Sequence, residues 1–301
     1  MPPRIVLSAS RRTDIPAFYM HWFMEGIARG FFSVTNPFNR KTATVSTASE
    51  DVHSIVFWSK DFGAFLDGGY GEILGNMGYN QFFLFTVNSR SPVLEPNMVP
   101  TETRIRQAEA LAARFGARRV VWRFDPVCFF TYNGEDVQDN LGELEFIARR
   151  IENAGIRRCI SSFADHYPKV IRRVEKTPGL RLIDPPIEEK RRVLRDMAGT
   201  LASRSISLYT CCENQLADSL PEACGIEAGG CISGHLLAGL FGEKPSLQKD
   251  SGQRREKGCL CTVSRDIGDY DRHPCYHGCL YCYARPAENR NRVAVASARR
   301  R

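Results

Sequence analysis

Short apolar runs, each ending in a polar cluster, recur along this chain and constrain its fold more than any other feature. Ile5–Ser10 runs into Arg11–Asp14, and Phe31–Thr35 into Asn36–Asn39. Ile55–Trp58 is followed by Ser59–Asp61, and Gln81–Val87 by Asn88. Arg119–Phe124 meets Asp125 and Pro126, Cys159–Phe163 meets Ala164 and Asp165, and Ile206–Thr210 meets Cys211–Glu213. Near-continuous apolar runs of this length suit strands buried on both faces, as in a parallel sheet. Helical patterns fall between them. Ile15–Ala28 follows Asp14, an N-cap residue, with Pro16 just inside. Thr103–Phe115 ends at Gly116, Val137–Asn153 ends before Gly155, and Ile187–Arg204 carries apolar residues at helical spacing. Strand alternating with helix predicts an α/β fold.

Seven strands are legible and an eighth is not. The polar residues gather at the strands' C-terminal ends, the active face of a TIM-type barrel and the ligand side of an open sheet. The chain has neither a G-x-G-x-x-G fingerprint nor a phosphate-binding loop. A complete or partial (β/α) TIM-type barrel over residues 1–212 is therefore expected. Residues 213–284 are rich in Gly and Cys with few strand signals. They read as a metal-organised cap on the barrel mouth, continuous with it.

The chain has 301 residues, enough for a large core, and its 43% hydrophobic and 25% charged content is ordinary for a globular protein. No apolar run is long enough to span a bilayer, and the first residues turn polar too soon for a signal peptide. No membrane association and a cytoplasmic location are expected. Of the net charge of +7, the last segment, 285–301, carries +5, from six arginines against Glu288. That segment reads as a disordered basic tail, able to touch nucleic acid non-specifically or to be merely solvated.

Cysteine is the unusual component: there are 11, and nine lie between positions 211 and 282. In a reducing compartment they are not expected to pair as disulfides. Cys128 and Cys159 sit in apolar stretches and read as buried small hydrophobes. Cys275, Cys279 and Cys282 are spaced C-x3-C-x2-C within His273–Ala284. Three thiolates on one loop can hold three corners of an iron–sulfur cube and leave the fourth iron open. With His277 they could instead bind structural zinc, and a redox thiol set is a third possibility.

The stretch from Cys275 to Arg285, with His277, Gly278, Tyr281, Tyr283 and Ala284, resembles the signature of the radical S-adenosylmethionine (SAM) superfamily. It is especially similar to the spore photoproduct lyase branch. The resemblance implies a [4Fe-4S] cluster on Cys275, Cys279 and Cys282 that binds SAM and cleaves it reductively. It also implies Tyr281 near the adenine, a small electron donor of the flavodoxin or ferredoxin class, and a substrate that is a nucleic acid lesion, a metabolite or a peptide. The chain as a whole, over residues 4–285, resembles a bacterial family catalogued only as a domain of unknown function. Ser8–Tyr19, Asn36–Asn39, Val56–Lys60, Trp122–Pro126, Asp266–Gly268 and the triplet carry that likeness. In most radical SAM proteins the triplet follows the first barrel strand; here it comes last. A competing reading of another class is a non-catalytic zinc- or iron–sulfur-binding protein, acting as a redox sensor or ligand-binding module.

A second set of cysteines precedes the triplet. Cys211, Cys231, Cys259 and Cys261 would supply four ligands for a second cluster or for zinc, and a set that holds no metal is the third reading. Cys212 is set aside, because adjacent side chains of an extended chain point to opposite faces. At the strand ends, Arg11, Arg12, Asp14, Arg123 and Asp125 are candidate catalytic residues, with guanidiniums suited to carboxylate or phosphate. A helix cap for Asp14 and a plain ion pair for Arg123 with Asp125 are the competing readings. Lys60 and Asn88 join Tyr281 as candidate cofactor-binding residues. His166 and Tyr167 follow another strand, where a lone histidine is first a structural residue.

Overall fold

The computed structural model describes residues 3–37, 39–254 and 258–284. Thirteen strands occur among them: β1 (Ile5–Ala9), β2 (Phe31–Thr35), β3 (Thr42–Ser46), β4 (Val52–Ser59), β5 (Gln81–Thr86), β6 (Val120–Val127), β7 (Phe129–Tyr132), β8 (Gln138–Asp139), β9 (Arg158–Phe163), β10 (Leu180–Ile183), β11 (Ser207–Thr210), β12 (Ile226–Ala228) and β13 (Arg265–Asp266). The helices are α1 (Ile15–Phe18), α2 (Met20–Arg29), α3 (Gly63–Asp67), α4 (Tyr70–Asn76), α5 (Thr101–Phe115), α6 (Leu144–Asn153), α7 (Pro168–Val174), α8 (Ile187–Ala202), α9 (Asn214–Asp218) and α10 (Gly234–Phe241). The basic tail lies outside the described residues.

Eight strands form one sheet in the order β12-β11-β9-β6-β5-β4-β1-β13. Every neighbouring pair in it is parallel. The fold is thus α/β with a large parallel sheet. Among the described residues no ladder joins β12 to β13, so a closed barrel is not seen.

The strands bury both faces, as their apolar runs require. Leu7, Ile55, Phe57, Phe83, Phe85, Trp122 and Phe124 pack into one core with residues of α2, α5, α6 and α8. Their neighbours Val6, Val56, Phe82, Leu84, Val121 and Ile160 form a second core with Cys211, Cys212, Cys231, Cys261 and Leu237 of α10.

Several sequence expectations change. Phe31–Thr35 is not a strand of the parallel sheet; it pairs antiparallel with β3 as a separate ribbon. The sheet gains instead two short strands from the cysteine-rich segment, β12 and β13, which lack the apolar runs that mark the others. The helix expected from Val137 begins only at Leu144, because Gln138 and Asp139 pair with Phe130 and Phe129. The helix after Asp14 is broken at Tyr19, whose φ of -132° is not helical.

Candidate metal centre

The cysteine loop from His273 to Ala284 is fastened to the sheet's C-terminal ends from several sides. Asp14 follows β1 and caps α1, its Oδ1 accepting from Ala17 N at 3.0 Å and Ser59 Oγ at 2.7 Å. Its Oδ2 accepts from Lys60 N at 2.9 Å and meets His277 Nε2 at 2.7 Å. Four partners saturate the carboxylate. Asp14 is thus both the helix cap that the sequence offered as the plainer reading and the anchor of His277.

On the other side of the loop stands a buried network. The Tyr281 hydroxyl donates to Glu95 Oε1 and accepts from Lys60 Nζ at 2.7 Å and Asn88 Nδ2 at 3.1 Å. Lys60 Nζ also reaches Glu95 Oε1 at 2.8 Å, and Arg104 Nη1 lies 3.7 Å from Glu95 Oε2. The structure therefore brings Lys60, Asn88 and Tyr281 together. Glu95 and Arg104 were not singled out on sequence, since neither lies at a strand end. Burial pushes the Glu95 carboxyl up, but Lys60 and Arg104 outweigh it and hold it at about 2. Burial keeps the Tyr281 phenol protonated, well above its ordinary value.

Arg173 of α7 is another anchor that sequence reading missed. Its guanidinium donates to the carbonyls of Cys279 and Leu280, each at 3.3 Å, to that of Ala284 at 3.0 Å, and to that of Cys282. Tyr19 Oη donates to Pro274 O at 2.7 Å, and Asn97 Nδ2 to Tyr276 O at 3.1 Å. Gly278 turns the loop with a φ of +69°, a region open to glycine at little cost. Burial raises the Cys275 thiol well above its ordinary value and the Cys279 thiol to about 12, with Lys60 pulling the latter down. A bound metal would have to displace those protons.

The second cysteine set converges on the opposite side. Cys231 Sγ donates to Cys211 Sγ at 3.5 Å, and Cys211 and Cys212 Sγ lie 3.8 Å apart. Cys261 and Cys259 pack into the same cluster, so the five thiols gather in one assembly, the ring. The setting-aside of Cys212 is therefore corrected. Its backbone is left-handed, with φ +64°, rather than extended, and this turns both adjacent thiols into one site. Cys261 is the ring's most acidic member, held low by its bonds with Cys231 and Cys259 against burial, with help from Arg11.

Arg11 and Arg123 flank the Trp58 ring, each guanidinium 5.0 Å from its centroid. Arg11 donates to Ser264 Oγ at 3.0 Å, and Arg123 pairs with Asp125 and donates to Thr86 Oγ1 at 3.3 Å. Both charges act on the ring: Arg11 on Cys261, Arg123 on Cys231 and Cys211. Asp125 also accepts from Ser162 Oγ. Arg12 sits apart, donating to Gly268 O at 2.9 Å beside Asp266. Asp266 ties β13 to β1 by accepting from Ser8 Oγ at 2.8 Å and Ser10 Oγ at 2.6 Å.

A cleft of about 700 Å³ opens at the ends of β9 and β11, lined by residues that include Asp165, His166, Tyr167, Lys190, Cys212 and Arg254. Ala164 and Tyr167 line it and pack against the apolar cluster that holds Cys279 and Tyr281, while Cys212 of the ring lines it too. It therefore lies between the triplet and the ring. Among the described residues no three His, Cys, Asp or Glu side chains are arranged around a place for a single ion. No helix among them is long and apolar enough to cross a membrane.

Fold and site together define a parallel α/β protein with two cysteine assemblies at the C-terminal side of its sheet. The chain belongs to the family described as Domain of unknown function (DUF1848), whose profile matches residues 6–284. No curated protein matches it significantly. Among solved structures, a D-hydantoinase crystal structure is similar with 10% identity and a TM-score of 0.31, over 60% of this chain and 39% of that one. The D-hydantoinase of Bacillus sp. AR9 is similar with 11% identity and a TM-score of 0.31, over 60% and 40%. This chain thus spans about two fifths of the length of those proteins. Likeness that remote carries nothing about chemistry.

Proposed function

We propose that this protein is a radical SAM enzyme whose [4Fe-4S] cluster is held by Cys275, Cys279 and Cys282. One observation carries the reading: a loop with three thiols and no fourth is pinned over the strand ends by His277 on Asp14 and by Tyr281 on Glu95, Lys60 and Asn88. The donor set fits the group, since three thiolates bind three irons and leave one open. When bound, such a cluster supplies SAM's attachment point and the electron that breaks its sulfonium bond. The sheet is read as a partial (β/α) barrel capped by the cysteine-rich segment. In support, the last strand, β13, lies beside the first, β1, as in a ring cut once between β12 and β13.

The chain's own residues then have defined tasks. Asp14, Tyr19, Asn97 and Arg173 fix the loop's backbone so that the thiols need not search for their positions. Lys60 lies close enough to Cys279 to favour its thiolate. The cleft beside Tyr167 is where substrate would meet the SAM site; its cations Lys190 and Arg254 are paired with Asp184 and Asp165. A flavodoxin- or ferredoxin-class protein would supply the electron.

The test is anaerobic reconstitution with iron and sulfide, reduction, and addition of SAM. We expect a [4Fe-4S]⁺ EPR signal that SAM alters, formation of 5′-deoxyadenosine, and loss of both in Cys279→Ala. Tightly bound zinc with no cluster signal, or reduction with no 5′-deoxyadenosine, would overturn the reading in favour of a non-catalytic metal-binding protein.

A further inference from the structure

The five thiols of the ring come from three separate stretches of chain, and each stretch has a structural reason to be there. Cys211 and Cys212 follow β11. Cys231 follows two glycines, and an ideal Cβ on Gly230 would lie 2.7 Å from Leu260 O. Only glycine lets that backbone pass so close to the Cys259–Cys261 segment. Ile232 N then donates to Cys261 Sγ at 3.4 Å. Cys212 keeps a left-handed backbone, which is unfavourable for a residue other than glycine. A fold that only buried these thiols as small hydrophobes would not require that conformation.

The surrounding charge points the same way. Arg11 Nη2 and Arg123 Nε are buried with no hydrogen-bond partner, and both guanidiniums act electrostatically on ring cysteines. Arg254 adds a third cation, paired with Asp165 and acting on Cys212 and Cys211. Buried cationic donors without partners call for an anionic group beside them. Asp125 and Asp165 pair with Arg123 and Arg254 but leave Arg11 Nη2 and Arg123 Nε without an acceptor, which thiolates carrying a metal would supply.

We propose that Cys211, Cys212, Cys231, Cys259 and Cys261 form a second metal centre, a polynuclear iron–sulfur cluster, with Arg11, Arg123 and Arg254 offsetting its negative charge. Thiolates about 2.3 Å from one zinc form a tetrahedron in which every pair touches. Among the described residues no three of these side chains surround a place for a single ion, so the set does not converge on one zinc. Five thiols exceed the four that close a cubane, and Cys212, on the cleft wall, is the member that substrate can reach. This centre does not rest on the triplet's role.

The decisive protein is the full chain with Cys275, Cys279 and Cys282 all changed to Ala, reconstituted anaerobically with iron and sulfide. We expect it to keep about half the iron and acid-labile sulfide of the unaltered protein, with an EPR signal indifferent to SAM. In the complementary variant, Cys231→Ala with Cys261→Ala, we expect the other half, with the SAM-sensitive signal retained. Cys224→Ser, outside the ring, should bind as the unaltered protein does. A triplet variant with a native circular dichroism spectrum but no iron and sulfide would overturn the proposal. So would one zinc per chain, or a Cys211–Cys231 disulfide found by mass spectrometry. A misfolded ring variant does not affect this decision, which the triplet variant carries. The two readings fail separately: an unaltered protein whose cluster signal ignores SAM sinks the enzyme, and a natively folded triplet variant without iron and sulfide sinks the ring.

Discussion

The triplet and the ring are two ways of assembling cysteines, and they differ in what holds the sulfur in place. The triplet's three thiols share one loop, and among the described residues none hydrogen-bonds to another thiol. The surroundings hold that loop: Asp14 on His277, Glu95 with Lys60 on Tyr281, and Arg173 on four carbonyls. The ring is built from remote segments, sits against apolar Val6, Val56, Leu84, Val121 and Ile232, and is joined by its own sulfur contacts. A polar scaffold can keep three ligands set apart without metal. An apolar one leaves five thiols to pack on one another until something binds them. Perturbing the polar scaffold should therefore damage the triplet and spare the ring.

Glu95→Gln should give the largest effect of that kind. It leaves Lys60 and Arg104 buried without their counter-charge, a loss of about 3–5 kcal/mol. Denaturant unfolding should report that loss, and reconstituted protein should lose triplet iron while keeping ring iron. Equal loss from both sites would break the comparison. The pH dependence gives a second readout. The Glu95 carboxyl falls from 4.5 to about 2 on folding. Its contribution to stability is therefore present in full above 4.5 and disappears as pH falls through about 2. The unaltered protein should weaken steeply across that window and Glu95→Gln should weaken less; parallel curves would refute the assignment.

Asp14→Ala should come next. The lost helix cap costs about 1 kcal/mol, and each bond from Ser59 and Lys60 about as much again. His277 loses its anchor, so the triplet should release iron to a chelator faster than the unaltered protein while the ring does not. Unchanged release would mean that His277 does not position the loop.

Much of this was legible in the sequence, and what was not has physical causes. Six of the eight parallel strands announce themselves as apolar runs, because both their faces are buried. β12 and β13 are short, lie at the sheet's ends, and carry Glu227, Arg265 and Asp266, so no run marks them. Phe31–Thr35 has the composition of a core strand but exposes alternate residues in a two-stranded ribbon. Lys60 and Asn88 were singled out by their strand-end positions, and Tyr281 by its place before the last cysteine of the triplet. Glu95 and Arg173 lie in a loop and on a helix, where charge is ordinarily solvated and gives no signal. Cys211 was preferred to Cys212 because an extended chain was assumed where the backbone turns left-handed.

The smallest expected effects come from glycine, and they separate the two assemblies by direction as well as size. At Gly278 the φ of +69° costs an alanine about 1 kcal/mol, and its Cβ would stand 2.9 Å from Asn97 Nδ2. That amide is the end of a side chain and can swing away, at the expense of its bond to Tyr276 O. Gly278→Ala should therefore fold, lose about 1–2 kcal/mol and loosen triplet iron only. At Gly230 the Cβ would meet Leu260 O at 2.7 Å and Cys261 N at 3.0 Å, atoms of backbone that cannot swing. Gly230→Ala should push Cys261 away from Cys231, cost about 1–3 kcal/mol and lower ring iron only. Iron lost from the ring in Gly278→Ala, or from the triplet in Gly230→Ala, would show that the two assemblies are one coupled site rather than two.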